Sequence, residues 1–189
     1  MDYIEDLLGT RPIIGGQHPE WGTRNALLSL GNTYLEVLAP DEPSAIPENE
    51  RWMSQYFNKS PQLSTWALHC KSIEKVREYA LKNDIQVGKL MSGQRKRSNG
   101  EWLRWLISDP YTLPFDGALP FLISWIDSTH PSKTTPQAGE LIILTLEHPK
   151  AHEIEAQLKL LGISLRVIQA DQFKISATIR TSRGVVVLS

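Results

Sequence analysis

The 189-residue chain is 41% hydrophobic and 22% charged, with a formal net charge of −1. That composition fits one globular domain with a proper core, and it gives no overall electrostatic reason for nucleic acid or an anionic membrane as partner. One cysteine, Cys70, excludes an internal disulfide, no signal peptide opens the chain, and no apolar run reaches the about 18 residues of a membrane span, so the expectation is a soluble, cytoplasmic protein.

In chain order, helical spacing over 2–9 (DYIEDLLG) is followed by strand-like runs at 11–16 (RPIIGG), 24–30 (RNALLSL) and 33–39 (TYLEVLA). The Pro-rich stretch 40–50 reads as a surface loop, and 51–61 (RWMSQYFNKSP) as a short helix. A strand at 64–70 (STWALHC) precedes a helix at 72–84, and strands follow at 85–91, 101–108 and 119–126. The basic run QRKR (94–97), flanked by Ser and Gly, reads as a solvated loop. After a polar connector at 127–139, a strand at 140–146 precedes a helix at 150–162, and strands follow at 164–170, 173–180 and 184–189. The order strand, helix, strand, strand, strand therefore recurs, which predicts one domain over 1–189 built of modules at about 1–41, 62–127 and 139–189. The first module lacks its leading strand, because Met1 falls where its helix begins. A natural start upstream of Met1 is the favoured reading, since DYIEDLLG looks like the later part of a longer amphipathic helix.

If Gly31 and Asn32 form a two-residue turn, strand alternation puts Ala26, Leu28, Leu30, Leu35 and Val37 on one face. That face is wholly apolar and should pack on helices. Asn25, Leu27, Ser29, Tyr34, Glu36 and Leu38 share the other face, which meets either bulk water or a partly enclosed cavity. A carboxylate among leucines is costly to leave unpaired, so Glu36 should be partly buried with a partner among Asn25, Tyr34, Arg104 or His18.

The segments GGQHPEWGTRNALLSLGNTYLEVLAPD (15–41) and LPFLISWIDSTHP (119–131), with the repeated unit, resemble the glyoxalase-like domain family of the vicinal oxygen chelate superfamily. The resemblance implies an α+β fold in which βαβββ modules form a curved mixed, largely antiparallel sheet, with helices outside and a ligand cavity on the concave side. It also implies a divalent metal acting as Lewis acid, held by His or Glu on the first and last strands of each module. Only Glu36 matches such a slot, so no tightly bound metal or other cofactor is expected, although a weakly held divalent ion at Glu36 stays compatible with the sequence. The resemblance further places Trp125 and His130 at family positions.

The residues themselves nominate Glu36 as acid, base or orienting carboxylate, His18 as either an acid or base at the cavity mouth or a turn residue before proline, and Asn25, Tyr34 and Arg104 as ligand-binding, while Trp125 and His130 join the ligand-binding set through the resemblance. In WLRW (102–105), Trp102 and Arg104 share one face and Leu103 and Trp105 the other, so Arg104 is either an anion-binding wall residue or a surface group. His148 and His152 have an i,i+4 spacing that could serve zinc, but no third ligand is near, and an exposed helix start is favoured. No P-loop, GxGxxG or G-x-S-x-G motif is present. Two readings of function follow: a glyoxalase-like lyase or isomerase binding a small organic molecule, or a non-catalytic module that sequesters a small ligand or serves as a homodimerising scaffold. Titratable groups converging on an enclosed cavity would favour the first.

Overall fold

The computed structural model describes residues 1–42, 44–96 and 100–189. Helix α1 (Asp2–Leu8) buries Ile4 and Leu8 and stops at Gly9, whose left-handed φ of 76° closes the last turn. Strands β1 (Ile13–His18), β2 (Thr23–Leu30) and β3 (Thr33–Pro40) follow as an antiparallel meander in the order β1-β2-β3. Leu30 pairs with Thr33, so Gly31 and Asn32 are the two-residue turn expected from the sequence, and Gly31 supplies a positive φ of 86°.

The second unit contains β4 (Ala67–His69), α2 (Ile73–Lys82), β5 (Leu90–Lys96), β6 (Trp102–Ser108) and β7 (Phe121–Ile126), in the sheet order β4-β7-β6-β5. The third contains β8 (Glu140–His148), α3 (Ala151–Leu160), β9 (Val167–Gln169), β10 (Lys174–Thr181) and β11 (Gly184–Leu188). Its elements keep the same sequence order, but its sheet runs β11-β10-β8-β9. In the second unit the leading strand is an edge, whereas in the third it lies between β9 and β10. A local pattern of apolar residues sets which residues are strands; it does not set which strands are neighbours. The α+β architecture with mixed, largely antiparallel sheets is as the sequence predicts. Among the described residues no helix is long and apolar enough to cross a membrane.

Leu28, Leu30, Leu35 and Val37 pack with Ile4 and Leu8 of α1 and with Ala177, Ile179 and Leu188 of the third sheet. This is the apolar face predicted for the hairpin, now covered by both a helix and a sheet. The segment that enters β8 is stitched onto β2: Ser29 N–H donates to Pro136 C=O at 2.8 Å, and Ala138 N–H donates to Ser29 C=O at 3.0 Å.

Three local expectations need correction. The basic run is not a loop. Gln94, Arg95 and Lys96 continue β5, and Arg95 is buried, while Arg97 lies outside the described residues. The stretch 51–61 holds only a single 3-10 turn at Ser54–Tyr56, yet it is anchored, because Trp52 is buried, donates its indole N–H to Pro110 C=O at 3.0 Å, and bonds through its backbone to Trp21. His148 is not at an exposed helix start. It is buried at the end of β8, accepting on Nδ1 from the Lys150 N–H at 2.9 Å, while His152 stays exposed on α3.

Candidate functional site: an aromatic chamber between two sheets

The polar face of the β2–β3 hairpin is turned onto the sheet of the second unit. Between them lies a chamber of about 40 Å³, walled by His18, Asn25, Leu27, Tyr34 and Glu36 on one side and by Arg95, Leu103, Trp105 and Trp125 on the other. Trp21 and Trp52 close one end. The rings interlock edge-on or tilted: Trp21 stands 5.7 Å from Trp52 and 6.4 Å from Trp105, and Trp105 stands 5.9 Å from Trp125. Such arrangements place the electron-poor edge of one ring against the face of the next.

One amide organises the polar groups. Asn25 Nδ2 donates to Glu36 Oε1 at 2.7 Å and lies 3.3 Å from His18 Nε2. With Nε2 accepting, the His18 proton sits on Nδ1 and is donated to Thr23 Oγ1 at 3.1 Å. Burial depresses the His18 pKa below its ordinary value, against the opposing pull of Glu36. A neutral imidazole is also what the bonding requires, since a proton on Nε2 would face the Asn25 N–H. Tyr34 is held firmly in its neutral phenol form by burial and then by the Glu36 charge, so it can donate a hydrogen bond but does not serve as a base.

The sign of the pH effect follows. The unfolded chain protonates histidine at about 6.5, whereas folded His18 resists until lower pH, so the unfolded state binds more protons in that window and stability falls as pH falls through it. The expected result is a urea midpoint that drops between about pH 7 and pH 5, with His18→Gln flattening part of that slope. An identical slope in both proteins would refute a buried neutral His18.

The structure brings His18, Asn25, Tyr34, Glu36 and Trp125 to one chamber. Glu36 is half-buried with Asn25 as partner, as its surroundings demanded. His130 stands just outside, its ring 5.5 Å from Tyr34 and 6.1 Å from Trp125, with Nδ1 accepting from the Ser132 N–H of its own turn. Arg104 is a correction. It projects from the opposite face of β6, exposed, because Leu103, Trp105 and Ile107 on the other face pack into the aromatic core. The arginine at the chamber is Arg95, opposite Leu103 on β5, with its guanidinium donating to Gly15 C=O. Sequence reasoning also missed Trp21, Trp52 and Trp105. The period-2 continuation of β5 past Gly93, which pairs with Trp105, was the available signal for Arg95.

A family model described as "Glyoxalase-like domain" matches residues 1–162. The chain belongs to the glyoxalase-like domain family. A solved structure similar to it is a hypothetical protein from Staphylococcus aureus, with TM-score 0.66 and 14% identity over 95% of this chain and 90% of that one. At that identity the likeness bears on fold alone. SMU.1112c, 17% identical over 66% of this chain and 86% of that one, superposes with a TM-score of 0.20, too low to bear on fold. No curated protein matches the sequence.

The chelating metal that the wider superfamily implies does not fit the donors around Glu36. Among the described residues Glu36 is the only carboxylate lining the chamber, one of its oxygens takes the Asn25 N–H, and His18 Nε2 is turned onto the same amide. Among the described residues no three His, Cys, Asp or Glu side chains converge, whereas a divalent transition metal takes three or four such ligands.

Proposed function

We propose that the protein binds the reactive end of a small organic molecule in this chamber and that Glu36 acts on it as acid or base, in the manner of a lyase or isomerase. The observation that carries this reading is a mismatch in the chamber's hydrogen bonds. The indole Nε1 groups of Trp21 and Trp125, both chamber-lining, are buried donors without a partner, close to a carboxylate oriented by Asn25. Unpaired buried donors are costly, and a ligand carbonyl oxygen that reached either one would satisfy it. An N–H group that meets a carbonyl oxygen also stabilises the negative charge that develops there when a proton leaves the adjacent carbon. Glu36 is the base at hand to take that proton, and it can return it to the same or a neighbouring carbon.

A chamber of about 40 Å³ holds on the order of three water-sized groups, so the reacting part is small. Arg95 balances Glu36 in the wall, which suits a neutral carbonyl. The convergence of Glu36 and His18 on a partly enclosed space favours this reading over a non-catalytic binding or dimerising module. A cytoplasmic setting agrees with Cys70, whose thiol is buried and pushed up to about 11, leaving it an unreactive thiol at neutral pH.

The test is exchange of the carbon-bound proton of hydroxyacetone and related small α-hydroxycarbonyls in D₂O, followed by proton NMR. Wild-type protein should accelerate exchange, and Glu36→Gln should lower the rate by about 10²–10⁴-fold while retaining the fold and the ligand's effect on tryptophan fluorescence. Equal exchange by both proteins would remove Glu36 from the chemistry.

A further inference from the structure

The chamber opens sideways into a trough of about 500 Å³ that shares Tyr34, Glu36, Trp52, Phe121 and Ile123 with it. Its two walls are the edges of two different sheets. β3 is the last strand of its sheet and β4 the last strand of the next, and among the described residues neither outer edge is paired with a strand. The direction of the backbone groups along both edges can be worked out. On β2, Ser29 spends its N–H and C=O on residues 136 and 138, away from β3, so Ser29 and Tyr34 form a non-hydrogen-bonded pair of the β2–β3 ladder. Alternation then turns the N–H and C=O of Tyr34, Glu36 and Leu38 outward. On β4, Trp66 C=O accepts from Phe121 N–H and Cys70 N–H donates to Ile123 C=O, which turns Ala67 and His69 outward by the same alternation. All five residues line the trough.

We infer that this trough is a docking site for an extended peptide, added as a strand between β3 and β4. An alkyl chain or other apolar molecule would leave two facing rows of peptide groups without partners, at a cost for each. An extended main chain presents the complementary donors and acceptors to both rows at once. From Tyr34 to Leu38 the edge spans roughly 13 Å, enough for an insert of about five residues at 3.3 Å each. The two faces of the slot differ, which sets the side chains. Beneath it lie Leu63, from the segment before β4, and Leu141, Leu144 and Ile175 of the packed third sheet, so alternate residues of the insert are apolar. The others stand beside Tyr34 and Glu36 on the chamber side, where a cationic or hydroxyl side chain meets the carboxylate. The added strand would join the two sheets and wall off the chamber, so docking and access to Glu36 are mutually linked. The site stands on the strand edges and does not depend on the carbonyl chemistry proposed for Glu36.

The probe is acetyl-Val-Lys-Val-Thr-Val-amide, with a fluorescein-tagged form for anisotropy and the untagged form for amide hydrogen exchange. Saturable binding is expected, with slowed exchange at Tyr34, Glu36, Leu38, Ala67 and His69. N-methylation of the Lys and Thr amides, which removes two ladder donors without changing any side chain, should weaken binding at least about tenfold. Ala67→Pro, which deletes one outward N–H and no bond to β7, should weaken it too; if that variant fails to fold, the methylated peptide decides alone. The inference is overturned by absence of binding up to about 1 mM or by equal binding of the methylated peptide. It is also overturned if these five amides are already protected in peptide-free protein, which would mean that a second copy covers the edge. None of these readouts measures turnover, so they leave the Glu36 proposal to its own test.

Discussion

Replacing Trp105 with alanine should destabilise the protein by about 3–5 kcal/mol, the usual range for deleting a fully packed aromatic, and should leave a void where the chamber had a wall. Trp105 is 5% exposed and sits among Trp21, Trp52, Leu103, Ile107 and Ile123. Its ring is 6.0 Å from His18 and 5.9 Å from Trp125, so both the hairpin face and the second sheet lean on it. The indole also lies against the backbone of its cross-strand partner Gly93, where any side chain would overlap it. The surroundings therefore cannot collapse smoothly into the space left behind, because they consist of large flat rings already in contact with one another. Trp102, three residues earlier on the opposite face and 48% exposed, is the internal control: Trp102→Ala should change stability by no more than about 0.5 kcal/mol. Urea unfolding followed by far-ultraviolet circular dichroism separates the two. A loss under about 1 kcal/mol for Trp105→Ala would mean that the aromatic cluster is not what joins hairpin to sheet.

The same pair of tryptophans shows where the sequence stops being informative. In the β2–β3 hairpin, one face is purely apolar and the turn is Gly-Asn, so both register and facing are written locally. The structure has Leu28 and Val37 inside and Asn25 and Glu36 at the chamber, as alternation predicts. In β6 the run Trp-Leu-Arg-Trp puts a large aromatic on each face, and alternation alone gives no sign of which face is buried. The deciding fact is tertiary: Gly93 on β5 makes room for Trp105. Arg104 goes outward with Trp102, and Arg95 comes inward on the neighbouring strand. Net charge and run composition mislead at Arg95, because a basic cluster reads as solvated whereas one member is carried inward by the strand's period of two. The order of the third sheet was illegible for a different reason. The sequence marks β8, β9, β10 and β11 as strands, and their pairing is a choice among long-range contacts that no local pattern records. Trp21 and Trp52 belong to that class too: each follows a polar or Pro-rich segment that reads as a loop, and both are held inside by contacts to distant elements, such as Trp52 to Pro110.

Gly15→Ala should cost about 2–4 kcal/mol, combining overpacking with the loss of a hydrogen bond to a charged group, and should impair the Glu36 site more than any other single-methyl addition to β1. Gly15 is the extra residue of a bulge, since Ile14 pairs with Ala26 and Gly16 with Asn25. Space, rather than an unusual φ, requires glycine here. A Cβ would overlap Asn25 Oδ1, lie 3.0 Å from Asn25 Cγ, and come within 3.2 Å of the Arg95 guanidinium. A flexible side chain would simply move aside, but Asn25 is pinned by Glu36 at 2.7 Å and by His18 at 3.3 Å. It can retreat only by releasing both. The added methyl therefore acts on the carboxylate through the amide, and this yields a coupling that a double-mutant cycle can read. Asn25→Ala alone should be destabilising, because it strips Glu36 and His18 of their shared partner. In the Gly15→Ala/Asn25→Ala double variant, the methyl no longer meets the amide, so the two losses should fall short of additivity by about 1–2 kcal/mol. Strict additivity of the two unfolding free energies would show that the Gly15 methyl strains something other than Asn25, and would detach the bulge in β1 from the orientation of Glu36.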